Sequence, residues 1–181
     1  MRFRLVTAAV ALVLTATALS GCTGEPEPTE PTPAFSSEEE AFAAAEETYR
    51  AYVDALNRVD LSDPETFEDV FAWTTGEANA GARETFSEMH AEGLTVEGAT
   101  VIALALPRPL VNAGDWDSVE LDVCLDVSTV TLVDPSGESV VSPDRRDVQA
   151  MVVTLQDESA SSTGFLISKI DGREGTPECV Q

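Results

Sequence analysis

An α+β architecture, with N-terminal helices packed on one face of a curved, mostly antiparallel sheet, is what the sequence predicts. Two observations carry this expectation. Apolar residues recur at three- and four-residue steps up to Gly93 and at every second position beyond it. The strand candidates after Gly93 are joined by short turn-forming stretches rather than helical patterns, which suits antiparallel neighbours.

The first helix is announced by Ser37 with Glu40 three places on, a capping box whose serine oxygen serves the free amides of the first turn. Phe42, Ala45, Tyr49, Tyr52, Val53 and Leu56 then form one apolar stripe. Asp63-Pro64 opens a second helix, cap then proline at the first position, with Phe67, Val70 and Phe71 on one face and Gly76 as its stop. A third helix is expected from Glu77 to Glu92, carrying Ala82, Phe86 and Met89, with Gly93 ending it.

Four strands should follow: Val96 to Leu106, Ser118 to Val133, Asp147 to Gln156 and Gly164 to Ile170. The second alternates most cleanly, with Val119, Leu121, Val123, Leu125 and Val127 on one face and Glu120, Asp122, Cys124 and Asp126 on the other. Its phase slips near Thr129, which predicts a bulge bending a long strand. Asp134-Pro135-Ser136-Gly137 and Asp171-Gly172 carry turn chemistry.

The 181 residues include 33 acids against 10 Lys and Arg, a net charge of −23, over a hydrophobic content of 43%. That composition is globular rather than disordered. Its charge excludes a nucleic-acid partner, since the surface would repel phosphate. Only one long apolar run exists, which excludes a polytopic membrane protein, and three cysteines are too few for a disulfide-dense scaffold. The acids are spread over both halves of the domain and read as a solvated coat that keeps it off anionic lipid.

Residues 1–21 have the form of a secretory leader: Arg2 and Arg4, an apolar stretch from Leu5 to Leu19, then Ser20-Gly21. Leu19-Ser20-Gly21-Cys22 resembles the lipobox of bacterial lipoproteins. The resemblance implies diacylglyceryl transfer to the Cys22 thiol, cleavage before it, and anchoring of the chain to the outer face of the cytoplasmic membrane. Residues 22–35 follow as a lipidated cysteine and a Pro/Glu-rich tether ending in Phe35, extended and solvated. Residues 36–181 form a single domain.

Cleavage before Cys22 would leave 160 residues and, with the Cys22 thiol acylated, two cysteines free to pair, Cys124 and Cys179. Outside the cytoplasm such a pair is normally bridged, and a loop this long gives a disulfide about 4 kcal/mol of stabilisation in the entropic description. A reactive thiol is the other reading, with no histidine nearby in sequence to activate it.

With this element order and size, the domain resembles the NTF2-like superfamily, the cone-shaped fold shared by nuclear transport factor 2, ketosteroid isomerase and the SnoaL-like cyclases. It is most similar to the secreted, lipobox-bearing members from actinobacteria. A single lysine, Lys169, among nine arginines fits a high-GC coding bias. Members often dimerise through the sheet, so the resemblance leaves a homodimer open.

Eight of the ten aromatics after residue 21 lie in or just before the helices. Most are expected to be core. Tyr52 and Trp73, with polar tips, are the pocket candidates. His90, the single histidine, sits where a cation suits the end of the third helix. No catalytic motif, phosphate loop or calcium loop is present, so no catalytic residue, metal site or cofactor is assigned. Asp54, Asp122 and Asp126 are nominally available as a buried base. The function expected is a binding or protein-interaction module at the cell envelope, with an envelope protein or a small apolar ligand as partner. The alternative is a SnoaL- or isomerase-type enzyme acting on an apolar carbonyl compound.

Overall fold

The computed structural model describes residues 35–110 and 116–179, all within the unit Pro33–Gln181. The leader, Cys22 and the tether as far as residue 34 lie outside the described residues. Among those described, no helix is long and apolar enough to cross a membrane.

Helix α1 spans Glu38–Leu56, and Ser37 caps it by accepting from the Glu40 amide at 3.2 Å. The Glu40 carboxylate takes the amide and hydroxyl of Ser36, one residue further out, and those two bonds hold its pKa below the usual range. Of the predicted stripe, Ala45, Tyr49 and Val53 are buried and Phe42, Tyr52 and Leu56 half-buried; Ala41, Thr48 and Ala55 are buried besides. Thr48 satisfies its hydroxyl through Ala44 O (2.8 Å) and the Thr163 hydroxyl (2.6 Å).

Asp63 caps a 3₁₀ turn, Pro64–Thr66, which runs into the short helix α2, Phe67–Phe71. Gly76 does not end this helix. It is the first residue of α3, Gly76–Ala91, at φ +51°. The intervening residues leave the helical path to bridge a strand: Ile167 donates to Trp73 O at 3.0 Å and Thr75 to Ile167 O at 2.7 Å. A positive-φ glycine then turns the chain back into α3. Gly93, at φ +69°, follows the end of α3 as expected.

The first two predicted strands are each broken in two. The first becomes β1 (Thr95–Glu97) and β2 (Val101–Pro107), and the second becomes β3 (Ser118–Asp126) and β4 (Thr131–Val133). The breaks face one another, so β1 pairs with β4 in a separate two-stranded ribbon. Gly98 sits at the crossing, φ +86°, where an added Cβ would overlap Thr129 O. Arg145 holds the other side, donating to Val127 O and Val130 O at 2.8 Å each. The irregularity near Thr129 is therefore a break between two sheets, not a bulge within one.

The main sheet has the antiparallel order β2-β3-β5-β6, with β5 at Val148–Asp157 and β6 at Phe165–Gly172. Asp171-Gly172 ends β6, opposite Val152 and Met151, rather than making a turn. Asp134 does make its turn, accepting from the amides of Ser136 and Glu138.

The α+β class is thus as the sequence predicts. The core lies between α1 and one sheet face, where Tyr49, Leu121, Val123, Leu155, Phe165 and Ile167 have no exposed surface. Phe35, placed with the tether by composition, belongs to this core: it is 8% exposed and stacks on Phe165 with centroids 4.7 Å apart. A second cluster gathers Leu61, Phe67, Val70, Phe71, Phe86 and Leu94 between the helices and the ribbon.

Candidate apolar cleft

The cleft forms where the β1–β4 ribbon stands away from the helices. The end of α1 supplies Leu56 and Asn57, and the loop beyond it Val59 and Leu61. Phe86 and Met89, three apart on α3, present adjacent side chains. Val96, Val130 and Leu132 close the ribbon side around about 210 Å³.

The Asn57 amide is spent on the backbone of Thr100. Asn57 donates to Thr100 O at 2.9 Å and accepts the Thr100 amide at 2.8 Å. That reciprocal pair ties α1 to the start of β2 and leaves an apolar lining. The volume falls below that of drug-sized sites, which begin near roughly 300 Å³. It suits one apolar group the size of a side chain.

Tyr52 and Trp73, the pocket candidates, are not brought together. Tyr52 lines a different cleft of about 410 Å³ between α1, α3 and β6, with Ala78 and Gly81 opposite. On its rim Lys169 lies 3.0 Å from Asp171 and 4.0 Å from Glu77, and the Asp171 bond raises the lysine pKa. Trp73 borders a third hollow of about 300 Å³ with Arg58, Asp69 and Ser161.

The nominal bases are engaged or exposed. Asp54 faces solvent. Asp126 accepts from the Ser128 amide, and its contacts with the Ser128 hydroxyl and amide lower its pKa. Asp122 stands 3.1 Å from Arg108 Nε and 3.2 Å from Arg173 Nε. His90 places Nδ1 2.7 Å from Leu61 O, fastening α3 to the loop after α1. Among the described residues, no group of three or more His, Cys, Asp or Glu is arranged to hold a metal ion. Cys124 and Cys179 are bridged, Cα to Cα 5.5 Å.

The side chains whose pKa burial raises are tyrosines. Tyr49 is raised strongly by burial, then by the neighbouring Tyr52, which burial also raises. Their rings stack at 5.9 Å, and the Tyr49 hydroxyl has no partner among the described residues. A buried, unpaired hydroxyl is destabilising by about 1 kcal/mol or more. Tyr49→Phe should therefore raise unfolding stability by about 1 kcal/mol at neutral pH.

The alkaline behaviour follows from the same pair. Above about pH 10 an unfolded tyrosine releases a proton that the folded one retains. Stability is then full below about pH 10 and falls by up to about 1.4 kcal/mol per pH unit for each tyrosine. Tyr49→Phe should flatten that fall. Urea unfolding at about pH 8 and about pH 11, on either side of the ordinary tyrosine value, tests both points. A variant less stable than its parent at the lower pH would refute the unpaired hydroxyl.

No family model matches the chain, and no curated protein does. Solved structures give distant likenesses. Aln2 from a Streptomyces species aligns over 78% of this chain and 91% of its own, at 14% identity and TM-score 0.42. A periplasmic fragment of TraM aligns over 78% of this chain and 100% of its own, at 14% identity and TM-score 0.40. Agrobacterium tumefaciens VirB8 aligns over 76% of this chain and 94% of its own, at 10% identity and TM-score 0.37. No side chain of the cleft takes a role from these likenesses.

Proposed function

We propose that this chain is a lipid-anchored, extracytoplasmic NTF2-like domain that works as a binding module at the cell envelope. The cleft beneath the β1–β4 ribbon receives an apolar side chain of an envelope protein. One observation carries the reading: Tyr49, Leu121, Leu155, Phe165 and Ile167 form a closed core between α1 and the sheet, while a side-chain-sized, mostly apolar hollow remains at the ribbon. A side-chain-sized apolar hollow is how an anchor residue is seated at a protein interface.

Anchoring rests on Leu19-Ser20-Gly21-Cys22, and Cys22→Ser should move the protein from the detergent phase to the aqueous phase. The cleft is tested by a photo-crosslinking residue at Val96, on its rim, with Asp54 as a control position. A neighbour captured from Val96 alone, and lost on Met89→Glu, is the expected result. Identical captures from both positions would sink the reading.

A further inference from the structure

We propose that the Cys124–Cys179 disulfide is a thiol-exchange site, reduced by a dithiol, with Arg173 stabilising the departing Cys124 thiolate. It stands independently of the apolar cleft.

The sulfurs differ in access. Cys124, on β3, is 2% exposed. Cys179 borders an open cleft of about 620 Å³ whose other walls include Ala150, Arg173 and Glu178. An incoming thiolate therefore meets Cys179 first, and Cys124 is the leaving group.

A guanidinium lies against the leaving sulfur. Arg173 Nη2 lies 3.6 Å from Cys124 Sγ and 3.4 Å from Cys179 Sγ, on a side chain only 4% exposed. Arg173 Nε lies 3.2 Å from Asp122, whose same carboxylate oxygen also faces Arg108 Nε at 3.1 Å. Glu120 faces Arg108 at 3.0 Å. Glu174, Glu178 and Arg146 are the other charged groups on the cleft. A cation against sulfur favours thiolate over thiol, and a thiol of lower pKa leaves faster.

In the exchange, the attacking thiolate forms a bond to Cys179 Sγ, the Cys124–Cys179 bond breaks, and its electron pair stays on Cys124 Sγ beside Arg173. The second thiol of the reductant then displaces Cys179 from the mixed disulfide. The dithiol is oxidised to a disulfide, the chain's disulfide is reduced to two thiols, and the two protons pass to the new thiols or to water. The product has lost the covalent link between the C-terminal segment and β3.

The test compares the protein with Arg173→Met and Arg173→Lys under dithiothreitol. Reduction should be roughly five- to tenfold slower in Arg173→Met and close to the parent rate in Arg173→Lys. A purely structural arginine predicts the opposite, since removing a buried side chain opens the disulfide to attack. The second measurement needs no variant: in the reduced protein, thiolate absorbance should show one cysteine titrating below the ordinary value of about 8.5. Reduction as fast or faster in Arg173→Met, or both thiols titrating at the ordinary value or above, would overturn the proposal.

Discussion

Gly98→Ala is expected to lower unfolding stability by about 3–4 kcal/mol, more than any glycine substitution elsewhere in the described fold. Two effects combine. At φ +86° a non-glycine residue is strained by about 1–2 kcal/mol. The new Cβ would also collide with Thr129 O, and backbone cannot rotate aside as a side chain can. The ribbon must lift, which breaks the bonds between Thr129 Oγ1 and both Ala99 N (3.3 Å) and Ala99 O (3.1 Å), each worth about 1 kcal/mol. Gly137 provides the control. It has φ +84° but nothing within 4 Å of the place its methyl would take, so Gly137→Ala should show only the strain of about 1–2 kcal/mol. Equal losses at the two glycines in urea unfolding would mean that the contact with Thr129 does not matter. Because the cleft is walled by the same ribbon, Gly98→Ala should also abolish the Val96 crosslink.

Phe165→Ala is expected to be the most damaging core truncation, at about 3–5 kcal/mol. Its ring is fully buried at the start of β6 and lies nearly parallel to Phe35, at 12°. Truncation leaves a ring-sized void and removes the platform for Phe35. Phe35→Ala should itself be destabilising by about 2–3 kcal/mol, the scale of burying one phenylalanine. The double variant should lose less than the sum, by about 0.5–1.5 kcal/mol of ring coupling. Thermal or urea unfolding of the four proteins decides the matter. A Phe35→Ala protein as stable as its parent would return Phe35 to the solvated tether.

What the sequence reveals divides along the range of the interactions. Helix α1 is legible because its signals are local: the Ser37 cap and the stripe through Ala45, Tyr49 and Val53 act within one element. Thr48 escapes notice because a hydroxyl inside an apolar stripe is satisfied by Thr163, 115 residues away. Gly76 looks like a stop because glycine commonly follows a helix, yet here it starts one after Thr74 has bridged to Ile167. Only the distant strand explains that turn.

The cleft is illegible for the same reason. The alternation of Val96 to Leu106 reads as one continuous strand, and nothing local says that Gly98 crosses Thr129. The phase slip near Thr129 is half of the signal, and the glycine opposite it is the other half. Tyr52 can be nominated from its polar tip, but its cleft also needs Ala78 and Gly81 on α3 and Lys169 on β6. The cysteine pair is legible from its count and from the compartment the leader implies, whereas Arg173 beside the sulfurs is not.

The seating of Phe35 has a mechanical consequence. Tension applied through the residues before it enters the domain at one aromatic ring wedged over Gly164, with Ser36 bonded to Glu40 in the first turn of α1. The ring must slide from between its neighbours before the helix can unwind. It therefore acts as a strain relief, like the clamp that keeps a pull on a cable from reaching the solder joint.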